Sequence, residues 1–261
     1  MESNQHEFEL WEKRGDDVVL GDVRRLIAMH MRGELGGAFM PEDSNPGYPR
    51  GCDRNYHYFT LPMSLNYQRN SYKLWEAAKK TAEDGETLFV FDPGTVAARP
   101  VEDLRTALLK HKVSLQPVRH VATWHKICRT ISGMLSGTIK NLFVQCDSDV
   151  PKLLEFVRQA NKSSFPCLSG EKICHYWLYV MDQYTDAGLT GRSALTVAPD
   201  THVIQASIRL GLVAPSGTVQ NDSRRLVGEA WHRVLSGTGI DPIDIHTPLW
   251  LWSRGGFKVI S

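Results

Sequence analysis

Along this chain apolar residues recur at helical spacing with polar faces between them, and they almost nowhere alternate in the two-residue rhythm of a half-buried strand. Val23, Leu26, Ile27 and Met31 form one such stripe within Gly21 to Leu35. Leu65, Tyr72, Trp75 and Ala78 form another in a segment expected to be helical from about Ser64 to Asp84. Val101 to Leu109, Val121 to Met134, Leu153 to Ala160 after Pro151, and Leu226 to Leu235 read as further amphipathic helices. Between them, Gly36 to Asn55 collects Gly, Asn and Asp around Pro41, Pro46 and Pro49, which predicts a long ordered loop or lid and not a linker. Leu88 to Phe91 is a short apolar run before the turn signal Asp92-Pro93-Gly94, and Asp241 to Asp244 introduces a closing segment, His246 to Trp252. The pattern has no internal repeat and predicts an all-α protein of two helical lobes with a cleft between them.

Ser163 to Leu212 organises the rest. Phe165-Pro166-Cys167-Leu168-Ser169-Gly170 runs into the helical stripe Ile173, Trp177, Val180 and Met181, so a tight hairpin over Pro166 to Gly170 opens a helix with Lys172 in its first turn. The positive end of the helix dipole, together with drying by Ile173, Tyr176 and Trp177, disfavours an ammonium there and makes Lys172 a candidate amine nucleophile. Further on, Pro199-Asp200-Thr201-His202-Val203 leads into Ile204, Ile208, Leu210 and Leu212, a helix start with Asp200 at the N-cap. Backbone N–H groups and the dipole favour the carboxylate form of an acid so placed. Taken alone, Asp200 could be an ordinary cap and Ser169-Gly170 a plain turn.

Leu-Ser-Gly-Glu-Lys (168–172), an apolar helix, then Pro-Asp-Thr-His-Val (199–203) and Arg-Leu-Gly-Leu (209–212) resemble the helix-hairpin-helix superfamily of DNA base-excision glycosylases, most of all its archaeal 8-oxoguanine branch. Asp200 follows Lys172 by 28 positions, longer than most of the superfamily, and the extra length falls in Thr185 to Val197. Ser169 stands where the common hairpin has Pro, and Glu171-Lys172 where it has Val-Gly. The resemblance implies a helical barrel lobe over about 60–212, with the hairpin segment 163–180, and a second lobe joining 1–59 and 213–261.

It also implies a chemistry. Ser169 and Gly170 would bind a DNA phosphate through backbone N–H groups. Asp200 would stabilise the positive charge that builds on the sugar as the glycosidic bond breaks. Lys172 would attack C1′ to form a Schiff base, adding strand cleavage by β-elimination, unless water attacks instead. His202 would pack near Asp200. The target base leaves the stack for a pocket that reads its edge and stacks on its face, for which Asn66, Tyr67, Gln68, Trp124, Trp250 and Trp252 are candidates, the alternatives being that the polar residues cap and solvate a helix start and that the tryptophans are core. The base could be an oxidised purine such as 8-oxoguanine or a hypermodified phage cytosine, the latter implying a defence role. A non-catalytic DNA-binding module that keeps the hairpin is the alternative from another class.

Composition adjusts this picture at its edges. Lys and Arg number 30 against 29 Asp and Glu, so any DNA surface must come from local segregation of charge. Arg50 to Arg54, Arg69 to Lys80, Lys110 to Arg129 and Arg254 to Lys258 are the candidate stretches, or else solvated helix faces. The five cysteines, Cys52, Cys128, Cys146, Cys167 and Cys174, form no Cys-x-x-Cys pair and none lies beyond Cys174, so no zinc site, iron–sulfur cluster or other cofactor is expected. No apolar run approaches a membrane span and the start is not that of a signal peptide, so a cytosolic protein away from membranes is expected; the resemblance implies a monomer acting on double-stranded DNA.

Overall fold

Helix starts in this chain are written in its Asn, Asp and Pro residues. In the computed structural model, which describes residues 11–35, 39–66, 69–215 and 220–261, the side chains of Asn70, Asp92, Asp149 and Asp200 each accept the N–H three residues on, from Lys73, Thr95, Lys152 and Val203 at 2.8–3.1 Å. Each meets one of the orphan donors that a first helical turn leaves. Every regular element among the described residues is helical, and the one β-bridge joins Asp149 to Thr190. The helices are α1 (Asp16–Met31), α2 (Asp53–Leu65), α3 (Ser71–Glu83), α4 (Pro93–Ala98), α5 (Val101–Lys110), α6 (Pro117–Met134), α7 (Lys140–Gln145), α8 (Val150–Leu154), α9 (Glu171–Tyr184), α10 (Thr201–Arg209), α11 (Gln220–Leu235) and α12 (His246–Arg254). A π-helical turn, Glu155–Ala160, extends α8.

The chain divides into two compact units, 39–194 and 1–38 with 195–261. These limits differ from the lobes expected at 59/60 and 212/213, and local packing gives the reason. Residues 39–51 are tied into the first unit by tyrosine hydroxyls. Tyr72 donates to the Phe39 carbonyl, Tyr58 to that of Ser44, Tyr184 to the Asp43 carboxylate and Tyr176 to Glu42. At the other boundary, α10 packs on α11 and α12, so it belongs with them.

In the 39–194 unit, α2 is buried from Asn55 to Leu65 on every side and packs against α3, α6 and α9. Tyr58, Phe59, Trp75 and Phe91 meet edge-on or tilted around it, with centroids 5.2–5.9 Å apart. The buried Trp177 indole donates to Thr60 Oγ1 at 3.2 Å, fixing α9 on α2. The last carbonyls of α9 and the residue after it are met from the 50–55 segment. Arg50 donates to those of Asp182, Gln183 and Thr185, and Asn55 to that of Tyr184. The helix that carries Lys172 is therefore held along its side and at its C-terminus.

In the other unit, α11 and α12 both pack on α1. The buried Trp231 donates to Ser207 Oγ of α10 at 2.9 Å, and Trp11 to the Ile208 carbonyl at 3.1 Å. Gly211 ends this stretch at φ +73°, where a Cβ would fall 2.7 Å from Arg14 Cγ. A side chain there would meet both a strained backbone and an occupied space.

Candidate functional site

The hairpin is a self-contained turn. Leu168 N–H donates to the Pro166 carbonyl (2.8 Å), Ser169 N–H to Phe165 (2.9 Å) and Gly170 N–H to Cys167 (3.1 Å). Cys167 takes φ +63° to close it, and a Cβ on Gly170 would lie 3.2 Å from the Cys167 oxygen. Gly170 is exposed at the N-cap of α9, and Cys174 N–H is bonded to the Gly170 carbonyl. The N–H groups of Ser169 and Gly170, expected to bind phosphate, are thus engaged inside the turn. The positions at which a helix start presents outward N–H groups are Glu171, Lys172 and Ile173, one residue further on.

Lys172 sits in that first turn, half-buried, as its place in the sequence predicts. Arg158, on the π-helical turn, approaches the same helix start. It lies 3.6 Å from the Glu171 carboxylate and 3.3 Å from His175 Nε2. One turn beyond Lys172 on the same face, Tyr176 donates to Glu42. Glu42 is 2% exposed, and burial pushes its carboxyl up to about 7 while pushing the Tyr176 phenol up as well. No sequence signal marks this pair, because a glutamate in a Pro- and Asn-rich loop carries no sign of burial.

Asp200 belongs to the other unit and has a well-defined setting. It is half-buried at the N-cap of α10. Its Oδ1 accepts from Val203 N–H at 2.9 Å and its Oδ2 from the Trp250 indole N–H at 3.0 Å. His202 turns its ring edge to the Trp250 ring, with centroids 5.2 Å apart, and its Nδ1 lies 3.2 Å from Ser253 Oγ. The carboxylate is thereby held by two separate donors from α10 and α12.

The pocket candidates fall in different places. Trp250, 8% exposed, is a partner of Asp200, and Trp252, 5% exposed, donates to the Lys258 carbonyl and meets Phe257 edge-on. Trp124 is fully buried in the 39–194 core with its indole donating to the Val90 carbonyl, so its ring has no face open to a base. Asn66 ends α2 and accepts from Ser71 Oγ at 3.3 Å. Tyr67 and Gln68 lie outside the described residues. A surface hollow of about 420 Å³, whose walls include Gln145, Lys152 and Phe156, involves none of these positions.

Charge is more segregated than the totals show. Arg50 and Arg69 are engaged by backbone carbonyls, and Lys79, Lys80 and Lys110 by acids. Arg119, Lys126 and Arg129 are exposed on α6 and lie at helical spacing along one face. That face adjoins the hairpin segment, since Arg119 approaches Cys167 Sγ at 3.7 Å and Thr130 donates to the Ser164 carbonyl at 3.1 Å.

Among the described residues no group of three or more His, Cys, Asp or Glu side chains is arranged to hold a metal ion, and no helix is long and apolar enough to cross a membrane. No family model matches the chain, and no curated protein matches it either.

Proposed function

We propose that the chain is a DNA glycosylase of the helix-hairpin-helix type, with a two-lobed glycosylase-like fold, which excises a damaged or modified base. The observation that carries the reading is the setting of Asp200: a half-buried carboxylate at a helix N-terminus with each oxygen held by its own N–H donor. Such a group presents fixed negative charge, which is what a sugar cation developing at C1′ requires. Lys172, in the first turn of α9 after the hairpin, supplies the amine that attacks C1′. The C1′–N bond breaks as the Lys172–C1′ bond forms, and the base leaves with the bonding pair and takes up a proton. The aminal so formed gives up a proton from the former Lys172 amine as its C1′–O4′ bond opens and O4′ is protonated, and the resulting Schiff base permits loss of a C2′ proton and β-elimination of the 3′ phosphate. The start of α9 and the Arg119, Lys126 and Arg129 face take the phosphates on either side. An oxidised purine is the substrate class favoured by the resemblance. A hypermodified cytosine, which would make the protein a defence enzyme, is an outcome of the same test.

The test is single-turnover base release from duplexes carrying 8-oxoguanine, uracil or modified cytosines, for wild type and Asp200→Asn. The expected result is release from one class of duplex by wild type and a loss of 100-fold or more, on the order of one removed transition-state contact, in a variant that still binds DNA. Binding without release from any duplex would favour a non-catalytic DNA-binding module, a reading supported by the basic face of α6, which binding alone explains.

A further inference from the structure

The Trp250 indole N–H lies 3.0 Å from Asp200 Oδ2, on the oxygen that the backbone cap leaves open. We infer that Trp250 is a positioning residue for the Asp200 carboxylate, acting through this N–H and not as a stacking surface for the flipped base. The inference rests on the glycosylase reading above and assigns that site a further residue.

With Val203 N–H alone on Oδ1, the carboxylate plane could still turn about its Cβ–Cγ bond, because one donor fixes one oxygen. A second donor on Oδ2 fixes the plane. The second donor is itself immobilised. The Trp250 ring is 8% exposed, the His202 ring meets it edge-on at 5.2 Å, and the Arg254 guanidinium lies over it at 5.3 Å. His202 in turn lies 3.2 Å from Ser253 Oγ, which donates to Gln205 Oε1 at 3.3 Å. A run of polar contacts therefore ties the first turns of α10 to α12, the most closely packed helix pair of this unit. A carboxylate aimed before substrate arrives needs little reorganisation when positive charge develops beside it, which is where electrostatic catalysis draws its effect. Burial of the ring by these same neighbours removes the open face that stacking on a base requires.

The two roles separate on one atom. Replacing Trp250 with 3-benzothienylalanine exchanges the indole N–H for sulfur and keeps the ring, while Trp250→Leu removes both. Single-turnover excision and duplex affinity are measured for each, with circular dichroism melting to show that the variant is folded. The expected result is a single-turnover rate lowered roughly 10- to 100-fold in the sulfur analogue, the scale of one hydrogen bond to a charged group, with Kd changed less than about twofold. A sulfur analogue as active as wild type beside an inactive leucine variant would overturn the inference in favour of stacking, and full activity in both would overturn any role for Trp250. A wild type that excises nothing would instead overturn the glycosylase reading. Independently of activity, the Trp250 indole proton is expected to be protected from solvent exchange and to lose that protection in Asp200→Ala. An unprotected indole proton in wild type would refute the contact itself.

Discussion

Replacing Glu42 with glutamine should change how the protein's stability responds to pH. Glu42 is 2% exposed and bonded to Tyr176, with Asp43 beside it and Tyr184 near it at the end of α9. Burial is the largest influence and favours the neutral acid, raising the carboxyl from 4.5 to about 7, while the Tyr176 hydrogen bond opposes it. A folded-state proton affinity above the unfolded one gives stability that is fully present below about pH 4.5 and is lost as pH rises through about 7. At ~1.4 kcal/mol for each tenfold change in proton affinity, that rise is worth roughly 3 kcal/mol. Glutamine keeps an oxygen for the Tyr176 hydroxyl and cannot ionise, so the variant should gain on wild type by up to this amount between pH 5 and pH 8. Urea unfolding of both proteins at four pH values in that range reads the difference directly. His57 pulls the other way, since its lowered proton affinity costs stability as pH falls below about 6.5, but it is common to both proteins and cancels. A difference between the two that stays flat with pH would refute the claim that Glu42 is held as a neutral acid.

Three further outcomes follow from particular contacts. Gly51→Ala would place a Cβ 2.5 Å from Asp186 Oδ2, the carboxylate that Tyr56 and Lys140 hold at 2.6 and 3.1 Å. It should cost about 1–3 kcal/mol in unfolding free energy, the usual range for forced overpacking, and a neutral effect would show the network to be slack. Substituting Arg119, Lys126 and Arg129 by glutamine should weaken binding to any duplex and lower the slope of log K against log salt by about 0.9 for each phosphate contact removed, as read by fluorescence anisotropy at several salt concentrations. An unchanged slope would take this face away from DNA. His57 accepts Ile139 N–H on Nε2 at 3.2 Å and lies 3.1 Å from the Phe91 carbonyl through Nδ1, so protonation would set a donor against a donor. The imidazole should titrate below pH 6.5 in the folded protein by NMR, and a midpoint at or above that value would contradict the arrangement.

Long helices with a polar face are legible in the sequence, whereas the fully buried α2 and the short α4 and α7 are not. The stripes of α6, α9 and α10 could be read because half of each helix meets water. Helix α2 escaped: buried from Asn55 to Leu65, it shows no periodicity and carries Pro62 near its end, so the sequence suggested a helix only from about Ser64. What looked like one helix from Ser64 to Asp84 is two, because the chain leaves the helical path at Asn66 and restarts with Asn70 as cap. Asp92-Pro93-Gly94 carries a turn signal, yet Asp92 caps α4, an ambiguity built into residues that serve both purposes. Lys172 and Asp200 stand at the helix starts that their sequence context predicts, because local chemistry determines a first turn. Their partners were invisible. Trp250 reaches Asp200 across 50 positions and Glu42 meets Tyr176 across 134, and nothing local encodes either approach.

The most direct test of the central claim is borohydride trapping of wild type and Lys172→Gln on duplexes carrying 8-oxoguanine, uracil, an abasic site or modified cytosines. A covalent protein–DNA adduct is expected with wild type on one class of modified duplex, abolished in Lys172→Gln, with the base released in parallel. An adduct of equal yield in both proteins would remove Lys172 from the chemistry, and neither an adduct nor base release on any duplex would contradict the glycosylase account as a whole.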